Sequence, residues 1–394
     1  MSVAELPVPP PVAPMLAKLA HELPSGDYLY EPKWDGFRCM VFRCGADVEL
    51  GSRNELSLTR YFPEVVEVLR RDLPQSVVLD GEIVVAGLAG LDFDALTQRV
   101  HPAESRVRLL AGKTPASFVA FDLLALGGRD LRGQPFHERR RLLEDVFGAG
   151  PAPKGPARPP GAHLTPATRD RALAQEWFER FEGAGLDGVV AKAADLCYVA
   201  GKRVMVKVKH LRSAEFVVGG FRRYRGPSGR PPASGGPGEE EVGSLMLGLY
   251  DGSGRLAHVG VIGAFPAAQR RQLVEVLAPY RLGPGGALEG HPWAGWASAQ
   301  AGPGGPRLPG ARSRWNAAKD LSFEPLRPEL VVEASYEHLQ GDRLRHTAQF
   351  RRWRPDRDPA SCTYEQLGAA VPFLLADVFG PGVVAGGGER SHGG

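Results

Sequence analysis

The chain of 394 residues contains little cysteine and little lysine. Its four cysteines, Cys39, Cys44, Cys197 and Cys362, show no CxxC spacing, which argues against a zinc site or a disulfide framework. Nine of the 48 basic residues are lysines, and the others are arginines. A lysine can lose its proton and attack an electrophile, whereas a guanidinium cannot. A lysine within a motif therefore indicates chemistry that arginine cannot supply.

Long apolar segments and a targeting signal are also missing. Residues 1–20 are rich in proline and have neither a continuous apolar core nor a basic start, so they do not resemble a signal peptide. No stretch is long and apolar enough for a transmembrane helix. We therefore expect a cytoplasmic protein that makes no membrane contact. The net charge of +3 is too small to indicate a nucleic-acid partner by itself.

Lys33 is the first candidate for such chemistry, in the motif KWDG at residues 33–36. Apolar runs on both sides predict strands at Tyr28–Pro32 and Phe37–Phe42. An amine at a strand end, beside a carboxylate and a glycine, is well placed to act as a nucleophile. The competing interpretation is a surface hairpin with a solvated lysine, because so short a motif also arises by chance.

Four later stretches contain the other groups that chemistry on a nucleotide requires. They are, in chain order, Asp80-Gly81-Glu82, Phe121-Asp122, Asp187 to Lys192 and Lys207-Val208-Lys209. Each one alone has an ordinary explanation, such as a charged strand end, a core aromatic ring or a solvated strand face. Together they offer lysines for phosphates, carboxylates for Mg²⁺ and a ring that can stack on a base. Lys207 and Lys209 alternate along a strand and therefore face the same side.

The pattern of predicted elements divides the chain into two domains. Up to residue 211, mostly antiparallel strands alternate with helices, which indicates the α+β class. The following part combines short strands, one helix at residues 266–277 and long Gly/Pro-rich loops, which is typical of a small β-barrel such as an OB-fold. Glycine dominates from residue 380, so a disordered tail is expected. The predicted units are residues 1–211, 212–379 and 380–394.

The motifs, taken in order, resemble those of the covalent nucleotidyltransferases and specifically of the ATP-dependent DNA ligases. Six stretches look like the family's nucleotidyltransferase motifs: Glu31–Arg38, Ser52–Asn54, Asp80–Glu82, Phe118–Leu124, Asp187–Lys192 and Lys207–Lys209. A seventh, Arg345–Arg357, looks like the final motif, which family members carry on an OB domain. The likeness extends to small bacterial two-domain ligases of the LigC type and to the ligase module of LigD. It implies a nucleotidyltransferase domain with ATP-grasp-like antiparallel sheets and helices, followed by an OB-fold β-barrel.

The resemblance implies a reaction in three steps. Lys33 attacks the α-phosphate of ATP and forms a lysyl-AMP with release of pyrophosphate. The AMP then moves to the 5′-phosphate at a nick in duplex DNA. Finally, the 3′-hydroxyl displaces AMP and seals the strand.

Site residues follow from the same resemblance, with Lys33, Lys207 and Lys209 as the catalytic set. The implied ATP site comprises Glu31, Lys33, Arg38, Arg53, Glu82, Phe121, Lys192, Lys207, Lys209, Arg351, Arg354 and Arg357. The implied ligands of Mg²⁺, or alternatively of Mn²⁺, are Asp35, Glu82 and Asp187.

Individual roles are implied for several of these residues. Glu31 would accept a hydrogen bond from the adenine amino group, and Phe121 would stack on the base. Glu82 would hold either the metal or the ribose. By family position, Arg38 and Arg53 would bind the ribose and the 5′-phosphate of the nick, where a forked guanidinium fits.

Two positions depart from the family pattern. Asp187 replaces a glutamate that many ligases carry, so its side chain is one methylene shorter. The final motif ends in Asp356-Arg357 where the family often has Asp-Lys, which keeps the charge.

The expected partner is nicked duplex DNA, bound by a protein that we expect to be monomeric. Arg222, Arg223, Arg225 and Arg230 suit contacts to backbone phosphates, although a solubilising loop is nearly as good an explanation. The resemblance implies a role in DNA repair, with a repair polymerase or end-binding proteins as further partners.

Two other functions compete with DNA ligation. An RNA ligase or an mRNA capping guanylyltransferase would use the same lysine chemistry, and self-labelling with ATP rather than GTP separates capping from ligation. A non-catalytic nucleic-acid-binding protein on a decayed ligase scaffold is the other rival. The presence of Lys33, Glu82, Lys207 and Lys209 together argues against decay.

Overall fold

A computed structural model of the chain describes residues 2–87, 90–148, 161–226, 240–282, 290–294, 322–337, 339–367 and 373–378. The chain forms two compact units, one from residues 1–209 with the segment after residue 369, and the other from residues 210–369. The domain boundaries at residues 211 and 379 stay predictions from the sequence, beside a division of the structure at residues 209 and 369. The predicted tail, residues 380–394, is outside the described residues.

The first unit combines strands and helices. Its strands β1 to β11 are Leu16–Ala20, Tyr28–Pro32, Phe37–Cys44, Asp47–Ser52, Ser76–Gly87, Gly90–Leu91, Ala116–Leu126, Arg129–Asp130, Ala162–Leu164, Gly188–Ala193 and Arg203–Lys209. Its helices α1 to α5 are Pro63–Asp72, Phe93–Gln98, Glu104–Lys113, Phe136–Gly148 and Arg171–Arg180. Short 3-10 helices are found at Val3–Glu5, Thr59–Tyr61 and Phe181–Ala184.

These strands form two sheets. The larger sheet has the spatial order β4-β3-β5-β7-β8, with β6 beside β5 and β9 beside β7. The smaller sheet has the order β1-β11-β10-β2. Pairing is antiparallel except between β1 and β11 and between β7 and β9. The mixed, mostly antiparallel architecture confirms the predicted fold class.

Alternating side chains place two apolar layers on the larger sheet. Cys39 and Val41 of β3 face a core that contains α1, whose buried residues begin after a proline in the first turn. Met40 and Phe42 face the opposite layer, which includes Leu6, Val8 and Met15 of the N-terminal segment. The N-terminal segment is therefore part of the core of the first unit.

Lys33 lies in the connection between the two sheets. The strand before it, β2, pairs with β10 in the smaller sheet, and the strand after it, β3, pairs with β4 and β5 in the larger one. Gly36 permits a close approach here, because a Cβ atom at this position would lie 2.1 Å from the carbonyl oxygen of Ile83. The motif is thus not the turn of a surface hairpin, which removes the competing interpretation.

The second unit contains seven further strands and one helix in its described part. The strands β12 to β18 are Arg212–Arg223, Val242–Tyr250, Leu256–Ile262, Glu324–Tyr336, Leu339–Gln340, Arg343–Leu344 and Gln349–Trp353. Helix α6 is Ala267–Leu277, and 3-10 helices are found at Ala278–Tyr280, Pro359–Ser361 and Tyr364–Gln366. Across the described part of both units, no helix combines the length and the apolar character that crossing a bilayer requires.

Five of these strands form an antiparallel sheet with the order β14-β13-β12-β15-β18. A bridge between Ile262 at the end of β14 and Ala348 just before β18 brings the two edge strands together. The interior contains Trp293, which is fully buried and donates a hydrogen bond to Leu256 O at 2.8 Å. The predicted OB-fold β-barrel is confirmed by this closed arrangement.

The chain returns to the first unit at its C-terminal end. A last helical turn, α7 (Leu375–Val378), packs with the 3-10 helix at Phe181–Ala184. The ring of Phe373 lies 5.2 Å from the ring of Phe181, and Val378 is buried in the same apolar cluster. The apolar side chains of this segment explain why it packs on the first unit.

Candidate active site

A cavity in the first unit collects most of the predicted site residues. Eight of them line it: Glu31, Lys33, Arg38, Arg53, Glu82, Phe121, Lys192 and Lys207. The lining also includes residues that were not among the predicted site residues, namely Pro14, Met15, Leu16, Ala17, Pro32, Trp34, Val190, Arg203 and Met205. Residues distant in sequence meet here because β2 and β10 belong to one sheet and β3, β5 and β7 to the other.

Lys33 is held beside the start of β10. Its backbone N–H donates to Gly188 O at 2.8 Å, and the N–H of Asp187 donates to Lys33 O at 3.0 Å. Its Nζ lies 2.7 Å from Asp187 Oδ2, and the Lys33 side chain remains 21% exposed. The same carboxylate oxygen lies 3.3 Å from Lys209 Nζ. Asp187 therefore lies between two lysines, one of which can still be reached from the cavity.

Glu82 lies on β5 opposite Arg38 of β3. Its Oε1 accepts a hydrogen bond of 3.2 Å from the N–H of Gly36. This bond joins Glu82 to the segment between β2 and β3 that contains Lys33. Burial raises the pKa of Glu82 to about 7, although the charges of Arg38 and Lys33 act in the opposite direction. The site thus contains a carboxyl group whose charge is sensitive to the cations around it.

Arg38 is fixed by a buried carboxylate. Its guanidinium makes two hydrogen bonds of 2.6 Å to Asp80, which is fully buried. Tyr198 donates to the same carboxylate at 2.7 Å, and burial raises the pKa of Tyr198. The guanidinium lies 4.4 Å from the centre of the Phe121 ring. Asp80 and Tyr198 were not among the predicted site residues, yet they orient one that was.

Glu31 lines the cavity and lies between two cations. Its Oε2 is 2.8 Å from Lys192 Nζ, and its Oε1 is 3.4 Å from Arg140 Nη1. Lys192 also donates to Phe121 O at 2.7 Å. Burial raises the pKa of Glu31, and the two cations act in the opposite direction. Arg140 on α4 was not predicted, because its sequence context is that of an ordinary charged helix.

Pairing of the strands aligns the remaining lysines. Val190 of β10 is opposite Glu31 of β2 on one side and opposite Lys207 of β11 on the other. Lys207 lines the cavity, and Lys209, two residues later on the strand, reaches Asp187. The structure thus brings both lysines to the Lys33 side of the smaller sheet.

The three predicted metal ligands are not assembled into one cluster. Within the residues that the structure describes, no group of three or more His, Cys, Asp or Glu side chains is arranged to hold a metal ion. Asp35 is buried and does not line the cavity. Glu82 and Asp187 offer hard carboxylate oxygens near Lys33, which suits a Mg²⁺ ion that keeps several waters and substrate phosphates as ligands. The residues present therefore fit a metal that enters with a phosphorylated ligand.

The arginines of the final motif belong to the second unit. Arg351 donates to the hydroxyl of Ser335, and Arg357 is exposed. Arg354 bonds to Asp356 at 2.8 Å and to Glu215, and its bond to Asp356 raises the pKa of Arg354. Ion pairs within their own unit thus hold at least one of them in place.

The predicted DNA-contacting arginines are only partly described. Arg223 forms an ion pair with Glu324 at 2.6 Å, and Arg230 lies outside the described residues. Tyr224 stacks on the guanidinium of Arg270, 3.6 Å from the ring centre. Arg223 is thus held by a carboxylate of its own unit.

Comparison with known proteins gives these features a family context. The model described as ATP dependent DNA ligase domain matches residues 14–209, and the model described as ATP dependent DNA ligase C terminal region matches residues 238–357. A Lig E DNA ligase of known structure has a TM-score of 0.51 at 17% identity, and the match covers 87% of this chain and 99% of that one. Because the identity is only 17%, the likeness to the Lig E structure concerns the fold alone.

Relatives from mycobacteria match over nearly the whole chain. DNA ligase C of Mycobacterium tuberculosis is 54% identical over 374 residues, which are 95% of this chain and 98% of that protein. DNA ligase C2 of Mycolicibacterium smegmatis is 54% identical over 92% of this chain and 96% of its own. The multifunctional non-homologous end joining DNA repair protein LigD of Mycobacterium tuberculosis is 31% identical over 90% of this chain but only 40% of its own length. The chain therefore belongs to the ATP-dependent DNA ligases.

Proposed function

We propose that Lys33 is the nucleophile through which this DNA ligase uses ATP to seal nicks. The observation that carries this proposal is the position of Lys33 Nζ: it faces a cavity between two sheets and lies 2.7 Å from Asp187, with Lys207 in the cavity wall. An amine in this setting can reach a bound phosphate, and the cations around it can offset the charge of that phosphate.

In the first step, Lys33 Nζ forms a bond to the α-phosphorus of ATP while the bond from that phosphorus to the pyrophosphate oxygen breaks. The amine must be neutral to attack, so its ion pair with Asp187 has to open and its proton has to leave. Lys207 and Lys209 offset the negative charge that collects on the phosphoryl oxygens in the transition state. The product is a lysyl-AMP phosphoramidate.

The next two steps transfer and release the nucleotide. An oxygen of the 5′-phosphate at the nick attacks the phosphorus of the lysyl-AMP, and the bond to Lys33 breaks. The 3′-hydroxyl then attacks the 5′-phosphate, AMP leaves, and a phosphodiester bond closes the strand. Each step exchanges one bond to phosphorus for another, so no oxidant or further reactant is needed.

The nucleotide would lie between Phe121, which stacks on the base, and Glu31, which accepts a hydrogen bond from the adenine amino group. Arg38 and Arg53 also line the cavity and suit the ribose and the 5′-phosphate of the nick. Asp80 holds Arg38 with two hydrogen bonds, so this guanidinium is oriented before any ligand arrives.

Mg²⁺ would be held by Asp187 and Glu82, directly or through water, and Mn²⁺ accepts the same oxygen ligands. When bound, the ion would lower the negative charge on the phosphates. Asp187 would exchange its contact with Lys33 for one with the ion or its waters, which would also release the amine.

A role in repair of DNA breaks is supported by the relative named as a non-homologous end joining DNA repair protein. The arginines of the final motif would orient the pyrophosphate during the first step. A repair polymerase or end-binding proteins would be partners in such a role.

The proposal is tested with ATP labelled at the α-phosphate, Mg²⁺ and then a nicked duplex. Wild type should take up the label and seal the nick, whereas Lys33→Ala should do neither. Lys18→Ala is the matched control, because Lys18 is an exposed lysine on β1 and should behave as wild type. Equal labelling of the Lys33→Ala variant and wild type, or no labelling of wild type, would show that the mechanism is wrong.

A further inference from the structure

Arg140 contacts the cavity only through another residue. It lies on α4, it is not part of the cavity lining, and its side chain is 6% exposed. One end of its guanidinium is 3.4 Å from Glu31 Oε1, while Lys192 Nζ is 2.8 Å from the other oxygen. Both oxygens of the Glu31 carboxylate therefore have a cationic neighbour.

Each of these cations is itself held in place. Arg140 donates to Thr165 O at 2.8 Å and to Glu144 at 2.7 Å, and Lys192 donates to Phe121 O at 2.7 Å. Because both neighbours are anchored, the plane of the Glu31 carboxylate cannot turn without breaking a buried ion pair. Breaking such a pair is costly where water cannot replace the lost partner.

We propose that Arg140 is a positioning residue that sets the preference for adenine over guanine by fixing the Glu31 carboxylate. This inference rests on the proposed function, in which Glu31 accepts a hydrogen bond from the 6-amino group of adenine. At the same position, guanine presents an oxygen, which an ionised carboxylate repels. A carboxylate that could turn would instead accept the N1–H and 2-amino groups of guanine, so orientation decides which base is accepted.

The neighbouring Arg141 provides a matched control. It lies on the same helix, its side chain is 59% exposed, and it pairs with Glu138 and Asp145 at the surface. Arg140→Met and Arg141→Met therefore remove the same charge from adjacent positions, and only the first change affects Glu31. Arg140→Lys keeps the charge in a shorter, unforked side chain and serves as the conservative variant.

The test measures kcat and KM for formation of the lysyl-nucleotide with ATP, with GTP and with purine riboside triphosphate, which lacks the 6-amino group. We expect wild type to have a KM for ATP at least about tenfold lower than for purine riboside triphosphate. In Arg140→Met this ratio should fall to about twofold, with kcat for ATP changed by less than about threefold, and discrimination against GTP should fall about tenfold. Arg140→Lys should lie between the two, and Arg141→Met should match wild type.

Three outcomes would overturn the inference. An equal rise of KM for ATP and for purine riboside triphosphate in Arg140→Met would mean that Arg140 supports the fold without acting on the 6-amino group. If Arg140→Met does not fold, unchanged discrimination in Arg140→Lys has the same meaning. A wild type that labels normally but does not distinguish the two nucleotides would remove the role of Glu31, whereas absence of any label would remove the proposed function itself.

Discussion

At the scale of single residues, Asp187 has the most consequential position. Its carboxylate oxygen contacts Lys33 Nζ at 2.7 Å and Lys209 Nζ at 3.3 Å. The aspartate is one methylene shorter than the glutamate of many family members, yet it reaches both amines because the backbone of Asp187 is bonded directly to Lys33. A close backbone approach thus compensates for the shorter side chain.

His258 in the second unit gives a prediction about pH. Burial lowers the pKa of His258 to about 3, and the charges of Arg222 and Arg343 act in the same direction. The folded pKa lies below the ordinary value of 6.5, so the unfolded chain binds the proton more readily. Stability that is present above pH 6.5 is therefore lost as the pH falls towards 3. Lowering the pH from 7 to 5 should therefore reduce the unfolding free energy of the second unit by about 2 kcal/mol through protonation of His258 in the unfolded chain.

Hydrogen exchange of the backbone amides of β13 and β14 in the full chain measures this loss. His258→Gln should flatten the pH dependence, whereas His346→Gln, which changes a histidine that is 45% exposed, should leave it as in wild type. The same slope in the His258→Gln variant and wild type would contradict the prediction.

The sequence predicted many residues of the cavity because they belong to short motifs with recognisable chemistry. Lys33, Glu31 and Phe121 are of this kind. Asp80, Tyr198 and Arg140 were missed as orienting groups, since their importance comes from partners between 42 and 118 residues away in the chain. Which carboxylate meets which cation is a property of tertiary packing, and no local pattern encodes it.

At the scale of elements, the Lys33 connection owes its position to two sheets that hold its ends. The strands on either side of it were predicted, and the structure has them at Tyr28–Pro32 and Phe37–Cys44. Their membership in different sheets could not be predicted, because pairing with β10 or β5 involves residues far along the chain.

Gly36→Ala tests how tightly this connection is constrained. A Cβ atom there would lie 2.1 Å from Ile83 O and 3.0 Å from Glu82 Cγ, so the connection would have to move. Displacement of a reacting group by about 1 Å can slow a reaction about 100-fold, and we expect at least that loss in the rate of lysyl-AMP formation. Single-turnover labelling measures it.

Gly51→Ala is the control for this change. A Cβ atom at Gly51, on β4 of the same sheet, would make only ordinary contacts, the nearest 3.6 Å from Phe42. We expect its labelling rate to stay within about twofold of wild type. If both variants label at the wild-type rate, the close approach at Gly36 does not position Lys33.

At the scale of the whole molecule, the chain leaves the first unit at residue 209 and returns after residue 369. The first unit is therefore completed by residues from the C-terminal end, in a cluster that also contains Trp34, next to the proposed nucleophile. The order of the two domains was predictable from the motifs. The return was not, since a short apolar segment gives no indication of which surface it will cover.

Val378→Asp tests the contribution of this segment. Val378 is 3% exposed, and an unpaired carboxylate there should lower the unfolding free energy of the first unit by about 2–4 kcal/mol. Leu374→Asp, at a side chain that is 65% exposed, should change it by less than about 0.5 kcal/mol. Urea denaturation of the full chain compares the two variants. If Val378→Asp changes the unfolding free energy as little as Leu374→Asp does, the segment is not needed for the stability of the first unit.

The most direct test of the account is to find where AMP becomes attached. The protein is incubated with ATP and Mg²⁺, digested at neutral pH and analysed by mass spectrometry for peptides that carry AMP. The account predicts a single modified site, Lys33, among the nine lysines of the chain. AMP on any other residue, or no modified peptide from protein that seals nicks, would contradict it.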